Sequence, residues 1–226
     1  MEEKTFGWAT PPSDVMSSYI RRCREFVNDD EAFSNFKQYP EYNHILEGPS
    51  SSLTTHLYHS IFNNEKYKKW FMEKKEALTK NDICGASVYS FPEVNTSIGT
   101  VMYSWKSCVI REMLEETKPQ KVVEVGGGYG GMCLMLHELV GFDEYTIIDI
   151  PDAVALCEKY IKQFPEVFEK VNFVSCDECK EIKDIDLFIA DASLAECDEE
   201  TQMDYFQKFT KNSKAGYIVY NTLHVP

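Results

Sequence analysis

The residues best suited to chemistry in this 226-residue chain form a glycine-rich run with a carboxylate on either side. An apolar, strand-like segment leads directly into Gly126-Gly-Gly-Tyr-Gly-Gly131. Glycines let a backbone turn tightly and approach a ligand, and the helix predicted after them presents unpaired N–H groups. The loop residues predicted to hold a cofactor are Gly126, Gly127, Gly128, Tyr129 and Gly130. Since the spacing also satisfies the dinucleotide fingerprint, the run alone indicates only a nucleotide cofactor.

The two flanking carboxylates narrow the choice of cofactor. Glu124 lies inside the predicted strand, where a charged group is costly unless it meets an opposite charge such as a methionine-type ammonium group. Asp149 ends the next predicted strand, where a carboxylate can accept two hydrogen bonds from a ribose diol. Its alternative role is an acid at a helix N-terminus, ahead of Asp152. NAD enzymes share the second acid but do not need the first, so the pair favours S-adenosylmethionine.

The elements that must position these residues fall into two halves. Residues 1–118 are predicted to be a helical cap that contributes to substrate binding, and residues 119–226 a cofactor-binding domain. In the first half, helical spacing recurs over residues 15–27, 31–37, 53–62, 65–78 and 98–113, with loops over 39–52 and 85–95. In the second half, strands are predicted at 122–125, 145–150, 171–175, 187–190 and 217–220, with helices at 131–140, 152–164 and 199–211. Short apolar strands that alternate with helices predict an α/β fold with a Rossmann-like parallel sheet.

Ligands of such sheets bind at the carboxyl ends of the strands, where the strand order reverses. Asp191 ends the fourth predicted strand and is the first choice for a general base or substrate clamp, with capping of the next turn as the alternative. His224, just past the fifth strand, is the second choice, although a histidine near a chain end is more often a surface residue. The predicted substrate-binding residues are Tyr103, Trp105 and Asn221.

Composition limits the partners. The net charge of −14 disfavours nucleic acid and anionic membranes, and a small acceptor fits it better. No apolar run is long enough to span a membrane, and the N-terminal residues do not form a signal peptide, so we expect a cytoplasmic protein. The eight cysteines are scattered, and only Cys176 and Cys179 have ligand-like spacing. Free thiols are therefore favoured over a structural zinc site.

The motifs Glu124-x-Gly-x-Gly-x-Gly130, Asp149 and Asp177 resemble the successive motifs of class I S-adenosylmethionine-dependent methyltransferases. That resemblance implies that Asp149 binds the ribose and that Ile150 packs against the adenine. It further implies that the Cys176-Asp177 turn contacts the adenine edge, and that Asp191 lies at the cofactor as well as at the acceptor.

A narrower resemblance is to a family of sugar O-methyltransferases found among bacterial and large-virus genes for glycan synthesis. It rests on Val123-Glu-Val-Gly-Gly-Gly-Tyr-Gly-Gly131 and on the Asp149-Ile-Pro151 turn. It implies methyl transfer to a sugar hydroxyl, either free or within a glycan. The antiparallel strand pair that usually ends the class I sheet has no counterpart after the fifth predicted strand. We therefore expect the N-terminal helices or a second chain to cover that edge, in a homodimer or a larger multidomain enzyme.

Several rival functions stay open at this point. The acceptor could be another small molecule or a protein side chain. A nucleic-acid base is disfavoured, because Asp191-Ala-Ser-Leu194 stands where base methyltransferases usually carry an Asn/Asp-Pro-Pro-aromatic turn. A metal-assisted reaction, with a divalent cation held by Asp191 and Asn221, is a further possibility. It is not favoured, because the additional acidic ligand that usually follows the fifth strand is absent. An NAD-dependent oxidoreductase and a non-catalytic S-adenosylmethionine-binding module are the remaining alternatives.

Overall fold

The structure is a computed structural model that describes residues 14–40, 42, 51–83, 85, 88–90 and 94–220. Its centre is a sheet of five parallel strands, β3 to β7 in chain order: Lys121–Val125, Glu144–Asp149, Val171–Ser175, Ile185–Asp191 and Ser213–Val219. The spatial order is β5-β4-β3-β6-β7. The chain moves outward on one side of β3 and then returns to continue on the other side. The order therefore reverses between β3 and β6, which is the doubly wound arrangement of Rossmann-like folds.

Helices cover both faces of this sheet. The connections from β3 to β5 run through α6 (Gly131–Leu139), α7 (Pro151–Ile161) and α8 (Pro165–Phe168), and the connection from β6 to β7 runs through α9 (Glu199–Lys208). Alternate residues of β3 show the two faces. Val122 joins the larger hydrophobic cluster with α6 and α7, whereas Val123 joins a smaller cluster with Tyr205 of α9 and Phe209 just after it. Burial on both faces explains why the strands are apolar at nearly every position.

The N-terminal part of the chain forms a helical layer on the larger cluster. Its helices are α1 (Asp14–Asn28), α2 (Asp30–Ser34), α3 (Ser51–Phe62), α4 (Glu65–Leu78) and α5 (Ile98–Met113). Single turns of 3₁₀ helix lie at Phe36–Gln38 and Thr79–Asp82. Buried side chains of this layer, such as Phe26 and Ile110, belong to the same hydrophobic cluster as Val122 and Ile189 of the sheet. The helical layer and this sheet face therefore share one core.

Most predicted elements are confirmed, with three corrections. The helix predicted over residues 31–37 is two shorter elements, α2 and the 3₁₀ turn that follows. The stretch predicted as a loop over residues 85–95 contains β1 (Val88–Ser90), which pairs antiparallel with β2 (Asn95–Ser97). The fifth strand of the sheet begins at Ser213 instead of Tyr217, so Gly216 lies within a strand and not beyond a helix. Its pairing with β6 extends the strand to residues of low strand propensity.

The outer edge of β7 has no neighbouring strand among the described residues. Within the described part of the chain, β7 pairs only with β6. Ile218 and Tyr220, on this strand and just beyond it, are 44% and 52% exposed. That a second chain covers this edge stays a prediction. Among the described helices, none is long and apolar enough to cross a membrane.

Candidate active site

The glycine run forms a tight turn between β3 and α6 at the carboxyl edge of the sheet. Gly126 has φ +78°, and a Cβ atom there would lie 2.2 Å from the Cβ of Ser193. Gly130 is left-handed as well, with φ +94°, and it is the N-cap of α6 without a side-chain capping bond. L-residues with a side chain rarely adopt such φ values, so the turn requires glycine at both positions. The first N–H groups of α6 have no acceptor within their own helix, so an electron-rich ligand group can accept their hydrogen bonds.

Asp149 stands beside this turn at the end of β4. Its Oδ2 accepts a hydrogen bond from the Gly128 N–H at 2.9 Å, and its Oδ1 accepts one from the Ile150 N–H at 2.7 Å. Burial raises the pKa of the carboxyl from 3.8 to about 6, although both N–H bonds pull it down. Each carboxylate oxygen keeps a further lone pair for a ligand hydroxyl. The residue is thus tied to the glycine turn and still able to accept two more hydrogen bonds.

Glu124 lies beneath the turn on the face of β3 that points toward α6. It is only 1% exposed, and the hydroxyl of Tyr145 donates a hydrogen bond to its Oε2 at 2.8 Å. Burial is the main cause that raises the pKa of this carboxyl from 4.5 to about 8; the hydrogen bond from Tyr145 lowers the pKa, and the nearby charges of Asp191 and Asp149 raise it. The same oxygen lies 3.4 Å from the position of a Cβ on Gly127. Glu124 is therefore a protonatable group directly under the glycine backbone.

The structure places the side chain of Tyr129 away from the crevice. This ring is fully buried among Phe36, Tyr103 and Tyr160, with ring centroids 5.0–6.1 Å apart. The ammonium group of Lys37 lies 4.4 Å from its centroid. Only the backbone of Tyr129 is left to face a ligand in the turn.

The other residues predicted to hold the adenine follow β4 and β5. Ile150 is the N-cap of α7 and is partly buried against the larger core cluster. The Cys176 N–H donates to the Asp149 carbonyl at 2.8 Å, which holds the turn after β5 against the end of β4. Asp177 is exposed on that turn. These residues follow adjacent strands, as the class I resemblance implies.

Asp191 ends β6 and forms an ion pair that the sequence analysis missed. Its Oδ2 accepts a hydrogen bond from the ammonium group of Lys106, which lies on α5 and is 85 residues away in sequence. The Lys106 and Asp191 side chains are 12% and 15% exposed. Both thus reach solvent only slightly. The spacing of Lys106 on an amphipathic helix gave no signal for this pairing, because the contact depends on how α5 packs over the sheet.

The aromatic side chains of Tyr103 and Tyr217 lie near this ion pair. The ammonium group of Lys106 lies 5.4 Å from the ring centroid of Tyr103, and Trp105 is partly buried against the core. Burial and the nearby charge of Asp191 raise the pKa of the Tyr217 phenol on β7. Tyr103 of the predicted substrate residues is therefore near Asp191, with Lys106 between them. His224 and Asn221 lie outside the described residues.

The segment after Asp191 connects the ends of three neighbouring strands. Ala192 is left-handed, with φ +65°, a conformation that is rare for a residue with a Cβ and often found at functional sites. Its N–H donates to the Val219 carbonyl at 3.0 Å. The hydroxyl of Ser193 donates to the Val125 carbonyl, next to Gly126. The carboxyl ends of β3, β6 and β7 are therefore linked by direct hydrogen bonds.

The described part of the chain contains no group of three or more His, Cys, Asp or Glu side chains that could hold a metal ion. Asp191 already has a cationic partner in Lys106. Cys176 and Cys179 carry free thiols, and burial raises the pKa of both.

Comparison with known proteins gives limited similarities. No family model matches the chain. Among curated proteins, it is 27% identical to an isoflavone 4'-O-methyltransferase of Medicago truncatula over 157 residues. That alignment covers 65% of this chain and 40% of the relative. The chain thus spans less than half the length of the relative.

Several solved structures can be superposed on part of this chain. A Thermoplasma acidophilum protein matches with a TM-score of 0.46 and 16% identity, over 66% of this chain and 69% of that one. The glycopeptide N-methyltransferase MtfA, in complex with S-adenosyl-L-methionine, matches with a TM-score of 0.40 and 18% identity, over 48% and 46%. A SAM-dependent methyltransferase from Aquifex aeolicus matches with a TM-score of 0.36 and 17% identity, over 43% and 56%.

Proposed function

We propose that this chain is an S-adenosylmethionine-dependent methyltransferase that methylates a sugar hydroxyl in the cytoplasm. The observation that carries the proposal is the arrangement of the glycine turn and Asp149 at adjacent strand ends, with Glu124 buried beneath them. Asp149 holds the turn through the Gly128 N–H and keeps lone pairs for a diol. The free thiols among the described cysteines fit a reducing compartment.

The residues present fit this cofactor. The turn at Gly126 has no room for a side chain, since a Cβ there would collide with Ser193. The turn lies at the carboxyl ends of the parallel strands, next to the point where the strand order reverses, which is where such sheets bind their ligands. Glu124 would act from below the turn on the cationic end of the cofactor, and Asp149 would hold the ribose. Ile150, Cys176 and Asp177 would surround the adenine.

On the acceptor side, Asp191 is the proposed proton acceptor or clamp. S-adenosylmethionine, when bound, supplies a methyl group on a sulfonium that leaves as a neutral thioether. The Asp191 carboxylate would take the proton that the acceptor hydroxyl loses on methylation. Lys106 fixes the orientation of that carboxylate. Trp105, which is partly buried, would offer aromatic surface to a sugar ring, whereas Tyr103 is only 8% exposed and would support Lys106 beside it.

We further propose that the two halves of the chain have different roles. Residues 119–226 would bind the cofactor, and residues 1–118 would supply the acceptor side through α5. Lys106 and Tyr103 both lie on that helix, which supports this assignment.

The hydroxyl as acceptor has support from two directions. The glycine loop and the Asp149-Ile-Pro151 turn resemble those of sugar O-methyltransferases. The curated relative is an isoflavone 4'-O-methyltransferase, so its acceptor is a phenolic hydroxyl. Because of that relative, a phenolic small molecule is the second candidate acceptor.

Calorimetric titration with S-adenosylhomocysteine tests the cofactor. We expect binding to the purified chain, no binding of NAD, and a loss of at least about tenfold in affinity for Asp149→Ala. Binding of NAD without binding of S-adenosylhomocysteine would overturn the proposal and favour an oxidoreductase.

Mass spectrometry with methyl-labelled S-adenosylmethionine tests the acceptor. A panel of free sugars, nucleotide sugars and short glycans is run beside a panel of phenolic compounds. Label on a sugar supports the proposal, and label only on phenols favours the second candidate. Cofactor binding without transfer to any member of either panel would favour a non-catalytic binding module.

A further inference from the structure

The one aromatic residue of the glycine run is anchored in the helical layer and not in the crevice. Tyr129 is flanked by glycines, and its ring is fully buried. Among the ring contacts of the described residues, its nearest neighbour is Tyr160 of α7 at 5.0 Å, followed by Phe36 at 5.5 Å in an edge-on contact. Edge-to-face pairs of this kind stabilise beyond the energy of burial. The ring therefore holds the loop against residues that come from a distant part of the sequence.

A buried lysine completes this environment. Lys37 is 1% exposed, and its ammonium group lies 4.4 Å from the Tyr129 ring centroid and 5.1 Å from that of Tyr160. Away from water, the attraction between a cation and an aromatic face is stronger than at an exposed site. The same ammonium group donates to the side-chain oxygen of Asn81 at 3.1 Å and to the Asn81 backbone carbonyl. Lys37 thus connects the ring to a second polar residue.

Asn81 is the centre of the polar contacts. It is fully buried in the 3₁₀ turn after α4, and its side-chain oxygen accepts a hydrogen bond from the Tyr160 hydroxyl at 2.6 Å. The Tyr129 hydroxyl lies 3.4 Å from the same side chain. The Asn81 amide nitrogen donates to Thr100 of α5 at 2.9 Å. Four separate elements of the fold therefore meet at this one amide.

The position of Tyr129 determines the backbone on both sides of it. Gly128 has φ +55° and donates its N–H to Asp149, and Gly130 has φ +94° and begins α6. A glycine-rich segment has many accessible conformations, and a ligand that selects one of them must overcome that entropy. An anchored ring between two glycines removes much of that freedom before a ligand arrives.

We propose that Tyr129 is a positioning residue for the cofactor turn, and that Lys37 and Asn81 of the helical layer hold it in place. In this arrangement residues of the N-terminal segment set the affinity for the cofactor without touching it. This inference rests on the proposed function, because it concerns affinity for S-adenosylhomocysteine.

The test compares Tyr129→Leu with Tyr67→Leu. Both tyrosines are buried, but Tyr67 lies on α4, where its ring stacks on Trp70 and its hydroxyl donates to Glu112, outside the Tyr129 network. Either substitution removes a buried ring, so both lower the melting temperature. We expect affinity for S-adenosylhomocysteine to fall at least about tenfold for Tyr129→Leu and to stay within about twofold for Tyr67→Leu. Equal affinity losses in the two folded variants would overturn the inference.

Hydrogen exchange gives a readout that needs no ligand. Backbone amides of residues 126–131 should exchange faster in Tyr129→Leu than in Tyr67→Leu. If the parent chain does not bind S-adenosylhomocysteine, the proposed function fails, and the exchange result still tests the anchoring. Unchanged exchange of the turn in Tyr129→Leu would overturn it.

A third variant covers the case in which Tyr129→Leu does not fold. Lys37→Met leaves the turn sequence intact and fills a similar volume, while it removes the cation over the ring. We expect affinity for S-adenosylhomocysteine to fall about threefold and exchange of the turn to quicken. Parent-like affinity and parent-like exchange in folded Lys37→Met would contradict the role of the helical layer.

Discussion

The two sides of the candidate site are built in different ways. On the cofactor side, the glycine turn and Asp149 lie on adjacent strand ends and are joined by backbone N–H groups. On the acceptor side, Asp191 meets the side chain of Lys106 from a helix that precedes the sheet. One side is held by backbone geometry, and the other by an ion pair between distant side chains.

This difference determines what each side tolerates. A backbone turn with positive φ angles fails when a Cβ is added, whatever the chemistry of the new side chain. An ion pair of two slightly exposed side chains depends on charge and on the packing that brings α5 over β6. Substitutions on the first side should therefore abolish cofactor binding, and those on the second should affect transfer while binding persists.

The largest expected effect is that of Gly126→Ala. A Cβ at this position would lie 2.2 Å from Ser193, and φ is +78°. We expect affinity for S-adenosylhomocysteine to fall by about a hundredfold or more, measured by calorimetry. The matched control is Gly141→Ala, where φ is +81° but the nearest atom is 3.3 Å away on the flexible Lys118 side chain. Both variants carry the left-handed backbone penalty of about 1–2 kcal/mol.

Only Gly126→Ala also blocks the turn. Equal affinity of the two variants for S-adenosylhomocysteine would show that the turn does not bind the cofactor. The two sides of the site would then no longer differ in the way described above.

Lys106→Met is expected to separate transfer from binding. Loss of the ammonium group leaves the mostly buried carboxylate of Asp191 without this partner. We expect a fall in stability of about 2 kcal/mol, less than the roughly 3–5 kcal/mol typical of a fully buried pair. On the acceptor identified by mass spectrometry, kcat should fall about tenfold or more, while affinity for S-adenosylhomocysteine stays within about twofold.

Lys118→Met is the matched control for this prediction. Lys118 also pairs with an aspartate, Asp143, but the two side chains are 50% and 53% exposed. Exposed pairs contribute little, so stability and turnover should both be unchanged. Parent-like kcat in Lys106→Met would limit that residue to a structural role.

The smallest expected effect concerns the protonation of Glu124. Because the pKa of its carboxyl in the folded chain is about 8, this group holds a proton at pH 7. The ammonium group at the amino-acid end of S-adenosylhomocysteine, placed above Glu124, favours the charged form of the carboxyl, so binding of this ligand should release close to one proton. Calorimetry at pH 7 in buffers with different ionisation enthalpies measures this number. Proton release should be absent in Glu124→Gln. Absence of proton release in the parent chain as well would mean that Glu124 does not contact the ammonium group of the ligand.

The stability of the ligand-free chain provides an independent check on Glu124. Between pH 4.5 and about 8 the folded state keeps the proton that the unfolded state has lost. This group therefore makes the free energy of unfolding fall as pH rises through that window, by at most about 1.4 kcal/mol per pH unit. Denaturant unfolding should show a smaller decline for Glu124→Gln, whose amide oxygen still accepts the hydrogen bond from Tyr145.

How far the sequence could predict this structure depended on the range of the interactions. The strands and helices of the second half were predictable because burial on both sheet faces leaves continuous apolar runs. The hairpin of β1 and β2 was not, since each strand has only three residues and no alternating pattern. The start of β7 was missed because pairing with β6, and not local propensity, decides it.

The sequence by itself determined the cofactor side of this protein. Glycines, a strand-end aspartate and a buried glutamate have conformational and electrostatic requirements that can be read from residue type and spacing alone. Only the tertiary structure decided that Lys106 meets Asp191 and that Tyr129 turns into the helical layer beside Lys37 and Asn81. Such contacts depend on how helices pack over the sheet, and local sequence patterns carry no information about that packing.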